Sequence, residues 1–450
     1  MSDALQETMH AVREHVQPSS SEREALEATV SELLSRTQEA VASLPVDAHV
    51  RRVGSTARDT WLRGERDIDI FVCFPPSLSR NALERYGLEV GHAVVENGRR
   101  EYAEHPYVTG EVNGYSVDLV PCYDVESGAE IKSAVDRTPF HAAYVRDRLT
   151  PDDAAEVRIL KRFCEAIGIY GSDLRTQGFS GYLTELLVLE YGNAVGVLET
   201  ASAWHPPVHL DPADHGTETF DDPLVVIDPT DPRRNVAAVV TAENLARFQH
   251  HARAFLANPS PAFFEAEPPG PLSDAQLRAE LDRRGTTPLA IRFPTPELVD
   301  DQLYPQLRSS LRGIESGLQQ HGFDIIRSTT FANDDAVFFI ELDVPARSNI
   351  ERHEGPPVHV EAHAASFLEK WEDADVYGPY IDEDRYVIER DRTVTTASEV
   401  LTSDRLFDLA LGAQIRTALA EGYDILIGED VTTLLPAFET ELAAYFDPSP

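Results

Sequence analysis

The sequence predicts a multidomain α+β protein, and three observations carry that prediction. Strand-like and helix-like runs alternate up to about Leu149, a largely helical stretch opens at Thr150, and strands return beyond a proline-rich segment at 257–271. At about 100–200 residues per domain, a chain of 450 residues allows two to four domains. The expected divisions are residues 1–149, 150–260 and 261–450.

The N-terminal run MSDALQETMHAVREHV reads as a mixed-charge amphipathic helix with no apolar core of signal-peptide length. Serines 19–21 before EREALEATVSELLSRTQEAVASL make a capped start to a long helix that ends before Pro45. HVRRVGS reads as a strand running into a Gly-Ser turn, TARDTW as a short helix and RDIDIFVCF as a strand. NALERYGLEVGHAVVEN is then a helix and YSVDLVPCYDV another strand. Thr150-Pro151-Asp152-Asp153 is a helix start, with Thr at the cap, Pro at the first position and acids in the first turn. The segment to about residue 260 is expected to be mainly helical, and ANPSPAFFEAEPPGP (257–271) to be a linker. Beyond it PLAIRF, HGFDIIRSTTF and AVFFIELDV are strands and PQLRSSLRGIESGLQQ a helix, which makes the tail α+β.

Charge narrows the setting. The chain carries 77 acidic against 39 basic side chains, a net −38, and only Lys132, Lys161 and Lys370 among the basic ones are lysines. With 42% hydrophobic residues in periodic runs, disorder does not account for so much acid. Such a surface suits concentrated salt, where self-repulsion is screened within about 3 Å at 1 M. Cys73, Cys122 and Cys164 form no C-x-x-C pair and sit in apolar runs, so buried thiols in a reducing, cytoplasmic setting are expected. No stretch approaches the 18 or so apolar residues of a membrane span.

The chemistry concentrates in Gly54-Ser55-Thr56-Ala57-Arg58 and Asp67-Ile68-Asp69-Ile70-Phe71-Val72. Residues two apart in a strand share a face, so Asp67 and Asp69 project together between apolar neighbours. Two adjacent carboxylates repel unless a cation or proton lies between them, and a divalent metal is the natural resident. Asp118, in YSVDLVP, supplies a third carboxylate on another apolar strand. Three such groups would hold two Mg²⁺ ions about 3.5–4 Å apart, as nucleotidyl transfer requires. The Gly-Ser turn offers N–H groups and a hydroxyl to phosphate oxygens, with Arg58 close behind. A lone D-x-D in an acidic protein is more often solvated surface, but Asp69 and Asp118 stand inside apolar strands, where an unpaired carboxylate is costly.

The run GSTARDTWLRGERDIDIFV resembles the signature of the DNA polymerase β-like nucleotidyltransferases. AEHPYVTGEVNGYSVDLVPCY, IKSAVDRTPFH, LKRFCEAIGIYG, GFSGYLTELL, DPTDPRRNVA and VDDQLYPQL extend the resemblance to the archaeal, class I CCA-adding enzymes over about residues 25–345. The resemblance implies a polymerase β-like head, a helical nucleotide-binding middle and an α+β tRNA-binding tail. It implies addition of CMP, CMP and AMP from CTP and ATP to the 3′ end of tRNA, without a nucleic-acid template. Asp67, Asp69 and Asp118 would be the catalytic and Mg²⁺ carboxylates, with Asp118 also assisting deprotonation of the tRNA hydroxyl. The first carboxylate position is often Glu in the family and is Asp67 here, one methylene shorter. Ser55, Arg58, His141, Lys161 and Tyr170 match nucleotide-binding positions, and Arg234 a base-reading arginine. Taken alone, Lys161 could be structural, His141 a packed histidine and Arg233-Arg234 a solvated pair. Expected partners are tRNA, CTP and ATP, with no membrane and with a homodimer as a candidate assembly. Arg283, Arg284, Arg292, Arg308, Arg312 and Arg327 are candidates for phosphate contacts despite the overall charge. The alternatives are a poly(A) or small-molecule nucleotidyltransferase, a catalytically silent RNA-binding protein on the same scaffold, and an acidic divalent-ion-binding protein.

Overall fold

The computed structural model describes residues 2–266, 269–402 and 404–450. The chain divides into two compact units, Met1–Glu267 with Pro450, and Pro268–Ser449. Glu267 and Pro268 of the expected linker, and Met1 of the expected first helix, lie outside the described residues.

In the first unit, helix α1 (Asp3–Val16) starts at a Ser2 cap, and α2 (Ser20–Ala42) at a capping box in which Ser19 and Glu22 satisfy each other's backbone. Strand β1 (His49–Val53) runs into the single turn α3 (Gly54–Ala57), and β2 (Asp67–Phe74) and α4 (Arg80–Val94) follow as their periodicity predicts. Two strands absent from the sequence reading, β3 (Arg99–Tyr102) and β4 (Pro106–Val112), precede β5 (Tyr115–Tyr123). The sheet order is β1-β2-β5-β4-β3, with β2 and β5 parallel.

The two-residue period of β2 decides which way the sheet faces. Ile68, Ile70, Val72 and Phe74 join Val117 and Leu119 of β5 in a core shared with Leu26, Val30 and Leu33 of α2 and Leu83, Val90 and Val94 of α4. Asp69, Phe71 and Cys73 therefore point the opposite way, as do Asp118, Val120 and Cys122. The farther part of that second face is covered by Ala142 of α5 (Thr138–Arg146), and Asp69 and Asp118 lie outside that apolar cluster. All three cysteines are buried and free, with the Cys73 and Cys122 Sγ atoms 3.3 Å apart across β2 and β5.

Helix α6 (Pro151–Ala166) starts at a capping box made by Thr150 and Asp153. It packs with α7 (Gly181–Tyr191), α8 (Ala194–Ser202) and α9 (Ala242–Ala257), and with Leu5, Met9, Val12 and Val16 of α1, around Phe163, Phe179 and Phe248. This stretch is not only helical. It carries a small sheet of β6 (Val208–Leu210), β7 (Leu224–Asp228) and β8 (Asp231–Asn235).

In the second unit, α10 (Asp274–Arg284), β9 (Thr287–Pro294), α11 (Asp300–Gln320), β10 (Ile325–Ala332) and β11 (Asp335–Leu342) form the expected α+β pattern. A four-stranded sheet, β10-β11-β9-β15, takes its last strand from Asp424–Ile427, while β12 (Ile350–Pro357), β13 (Tyr377–Asp382) and β14 (Arg385–Asp391) make a separate sheet beside α12 (Glu361–Trp371). Among the described residues no helix is long and apolar enough to cross a membrane.

Candidate active site

Parallel pairing sets Asp69 directly opposite Asp118, and Asp67 two residues back opposite Ser116. Asp67 is exposed at the mouth of the strand, and Asp69 and Asp118 are half-buried. Burial, then repulsion from Asp118, pushes the Asp69 carboxyl up to about 6 against an ordinary 3.8; Arg58 opposes the rise and Asp67 adds to it. Burial also raises Asp118, against a hydrogen bond from Thr109 of β4. Among the described residues no group of three or more His, Cys, Asp or Glu side chains is drawn together tightly enough to hold a metal ion. The Asp69–Asp118 pair is the part of the predicted triad that the sheet register brings face to face.

The Gly-Ser turn closes on this pair. Gly54 has φ +74°, and a Cβ there would lie 1.8 Å from Asp69 Oδ2, so the backbone of the turn occupies the space a side chain would need. Ser55 is half-buried next to it, and its carbonyl accepts from the N–H groups of Arg58 (3.2 Å) and Thr60 (3.0 Å). Arg58 donates through Nε to Glu185 Oε1 of α7 at 2.9 Å, and Thr60 donates to the same oxygen at 2.6 Å. Lys161 is buried on α6, with Nζ 5.8 Å from the centre of the Tyr170 ring. Gly181 at the start of α7 lets both approach: a Cβ there would stand 3.1 Å from the Tyr170 hydroxyl and 3.6 Å from Lys161 Nζ. Ser55, Arg58, Lys161 and Tyr170 are thus linked through the turn and the start of α7.

His141 and Arg234 meet elsewhere, on Asp228. Its Oδ2 lies 2.7 Å from His141 Nε2 and accepts from Arg234 Nη1 at 2.8 Å; its Oδ1 accepts from the Thr230 hydroxyl at 2.8 Å and the Tyr182 hydroxyl at 3.3 Å. The His141 and Tyr182 rings stack with centroids 4.0 Å apart. Burial works against the Asp228 charge, yet hydrogen bonds from His141 and Thr230 hold its carboxyl well below the usual carboxylate range. Burial in turn lowers His141, with Asp228 opposing. Glu185 and Asp228 organise the predicted residues, and sequence reasoning had not singled them out. Each carries the signal used for Asp69: an acid in an apolar run, LTELLVL for Glu185 and LVVID for Asp228.

A family model described as "Nucleotidyltransferase domain" matches residues 34–141, one described as "tRNA nucleotidyltransferase, second domain" matches 155–265, and one described as "CCA-adding enzyme, C-terminal domain" matches 284–428. The CCA-adding enzyme of Haloarcula marismortui is 53% identical over 466 residues, and that of Halobacterium salinarum 55% identical over 452, each covering 100% of both chains. The chain belongs to the CCA-adding enzyme family. The family member from Methanosarcina barkeri is 42% identical across 94% of each chain. Among solved structures, an RNA terminal U-transferase is similar over 59% of this chain and 99% of its own, at 14% identity and a TM-score of 0.45.

Nucleotidyltransferases of this kind generally use divalent metal ions. The donor set of this CCA-adding family member fits one: two half-buried carboxylates face each other across adjacent strands, and each is raised by burial that a cation would offset. In the second unit, most of the candidate phosphate-binding arginines already hold protein partners. Arg284 makes two bonds to buried Glu341, Arg292 pairs with Asp424, Arg283 with Glu280, and Arg327 donates to the Tyr445 carbonyl. Half-buried Arg308, which is not without a partner either, and exposed Arg312 lie one turn apart on α11.

Proposed function

We propose that this chain adds C, C and A to the 3′ end of tRNA, taking the nucleotides from CTP and ATP, using no nucleic-acid template and releasing pyrophosphate. The observation that carries the site assignment is the register of β2 and β5, which sets Asp69 against Asp118 with Gly54 of the phosphate-type turn packed on Asp69. Full-length identity above 50% to curated CCA-adding enzymes supports the choice of tRNA and of C and A over other nucleotidyl acceptors and donors.

In this proposal Asp67, Asp69 and Asp118 hold Mg²⁺, which when bound supplies charge stabilisation for the attacking oxygen and the leaving pyrophosphate. Asp118, raised by burial, takes the proton of the tRNA terminal hydroxyl. Ser55, Arg58, Lys161 and Tyr170 hold the triphosphate. Arg58 suits this because among the described residues its Nε alone is hydrogen-bonded, which leaves both terminal N–H₂ groups to donate. Arg234 reads the base edge, with Asp228 fixing one side of its guanidinium and His141 beside it. Residues 1–149 serve as catalytic head, 150–260 as nucleotide-binding middle and 261–450 as tRNA-binding body and tail; the cores around β2, Phe163 and Phe338 support that division except at α1, whose apolar face joins the core of the middle segment. A cytoplasmic setting and a homodimer belong to the same proposal, the former supported by three buried free thiols and the latter read by light scattering.

The test is incubation of tRNA lacking its CCA end with labelled CTP and ATP in molar KCl. Sequential incorporation of two C and one A is expected. Incorporation of a homopolymer, or none with intact protein, would remove the proposal.

A further inference from the structure

Glu185 is fully buried, yet only one of its two carboxylate oxygens is used. Oε1 accepts from Arg58 Nε and from the Thr60 hydroxyl, while Oε2 is buried with no hydrogen-bond partner among the described residues. An oxygen left in that state costs its full desolvation unless a nearby positive charge offsets it. Lys161 is the complementary case, an almost fully buried lysine that makes no hydrogen bond among the described residues. The two belong together by helix geometry. Lys161 Nζ lies beside Gly181 at the first position of α7, and Glu185 is one turn farther along the same face of that helix.

We propose that Glu185 is a positioning residue for the triphosphate site: one oxygen fixes the Arg58 guanidinium by its Nε edge, and the other is the counter-charge that keeps buried Lys161 an ammonium. The proposal rests on the triphosphate role given above to Arg58 and Lys161. A neutral lysine amine would bring no charge to a phosphate, so the acid that holds the proton on Lys161 sets the strength of the site without touching the nucleotide.

The surroundings of Lys161 agree. Burial depresses it; Glu185 on α7, Glu65 before β2 and Glu165 on its own helix work the other way, and Arg58 adds to the depression. Tyr170 presents its ring, and burial keeps its hydroxyl protonated. Of the three acids, Glu185 acts on Lys161 most strongly.

Three lysines in 450 residues make this directly measurable. The full-length protein is labelled with ¹³C,¹⁵N-lysine, the signals are assigned with Lys132→Arg and Lys370→Arg, and Lys161 is titrated in the wild type and in Glu185→Gln. Glutamine keeps an acceptor for Arg58 and Thr60 and removes the charge. The Lys161 midpoint should fall by about one to three pH units, the usual effect of losing an adjacent opposite charge. KM for CTP and for ATP should then rise together as the pH passes the lowered midpoint, and Lys161→Arg in the Glu185→Gln background should flatten that rise, because arginine stays charged. An unchanged Lys161 midpoint in folded Glu185→Gln overturns the proposal, as does a KM profile that keeps its wild-type shape. If Glu185→Gln does not fold, Glu185→Asp carries the same measurement, since it draws the charge back by one methylene: a lowered midpoint supports the proposal and an unmoved one overturns it. The titration needs no turnover. A lowered midpoint in a protein that adds nothing to tRNA would therefore sink the proposed function and leave the link between Glu185 and Lys161 standing.

Discussion

Replacing Gly54 with alanine puts the contact between the Gly-Ser turn and the carboxylates to the test. The new Cβ would sit 1.8 Å from Asp69 Oδ2 and 2.8 Å from its Cγ, and clearing it to the 3.0 Å that packed atoms tolerate moves the carboxylate by about 1.2 Å. The backbone adds its own cost, since φ is +74° and a residue with a Cβ pays roughly 1–2 kcal/mol in the left-handed region. A displacement of about 1 Å at a reacting group costs on the order of 100-fold in rate. Gly54→Ala should therefore lower single-turnover addition of CMP by about two orders of magnitude, while thermal unfolding shows a loss of only about 1–2 kcal/mol. Varying Mg²⁺ in the same assay should show a higher half-saturating concentration, because Asp69 no longer faces Asp118 in register. A folded Gly54→Ala protein with activity within about threefold of wild type would mean that Asp69 is free to move without consequence, and the carboxylate pair would lose its place at the reaction centre.

Other perturbations separate the remaining roles. Asp69 titrates near 6 rather than 3.8, so the folded protein binds that proton more tightly than the unfolded chain; metal-free stability should fall as pH rises from about 4 to about 6 and then level. Asp69→Asn should thus raise the unfolding free energy in chelator at neutral pH, by at most about 3 kcal/mol, while addition falls by several orders of magnitude; a lowered unfolding free energy would count against the strained pair. Lys161→Ala should weaken CTP and ATP by a similar factor, whereas Arg234→Ala should change their ratio and admit UTP or GTP, so a single shared factor for all four nucleotides would remove base reading from Arg234. With a net charge of −38 the thermal midpoint should climb steeply from about 0.1 M to molar KCl, as the Debye length shrinks from about 10 Å to about 3 Å. A flat profile would contradict salt adaptation.

How much of this was legible in the sequence depends on how local each feature is. The start of α2 and the start of α6 were readable because a cap and its partner stand three residues apart: Ser19 with Glu22, Thr150 with Asp153. The facing of β2 was readable because alternation is a property of the strand itself. β3 was not, since Arg99, Arg100 and Tyr102 are exposed on an edge strand and leave no alternation. β7 is buried at every position, and a short apolar run of that kind carries no period that separates strand from helix. Glu185 and Asp228 were illegible for a different reason. Glu185 meets Arg58 across 127 residues of chain and Asp228 meets His141 across 87, so only the folded arrangement shows what each acid holds.

The arginines of the second unit differ in how readily each could exchange its protein partner for a phosphate. An exposed ion pair contributes only about 0–1 kcal/mol, so a phosphate can replace the carboxylate at little cost; Arg292 with Asp424 and Arg283 with Glu280 are pairs of that kind. Arg284 is different, because Glu341 is buried and accepts both of its bonds together with others from Thr286 and Tyr445. Drawing Arg284 toward RNA would strand that acid. Arg284→Ala should therefore act on stability, by about 3 kcal/mol, near the low end for breaking a buried pair because Thr286 and Tyr445 still donate, and leave KM for tRNA little changed. Arg312→Ala removes an exposed cation one turn from Arg308 and should raise KM for tRNA while the unfolding midpoint holds. Since bulk salt already suppresses the gain from counterion release, the loss should be a few-fold and nearly independent of KCl in the molar range. If the two variants exchanged these signatures, with Arg284→Ala impairing tRNA use at full stability and Arg312→Ala unfolding the chain, burial would be the wrong guide to which arginines face RNA.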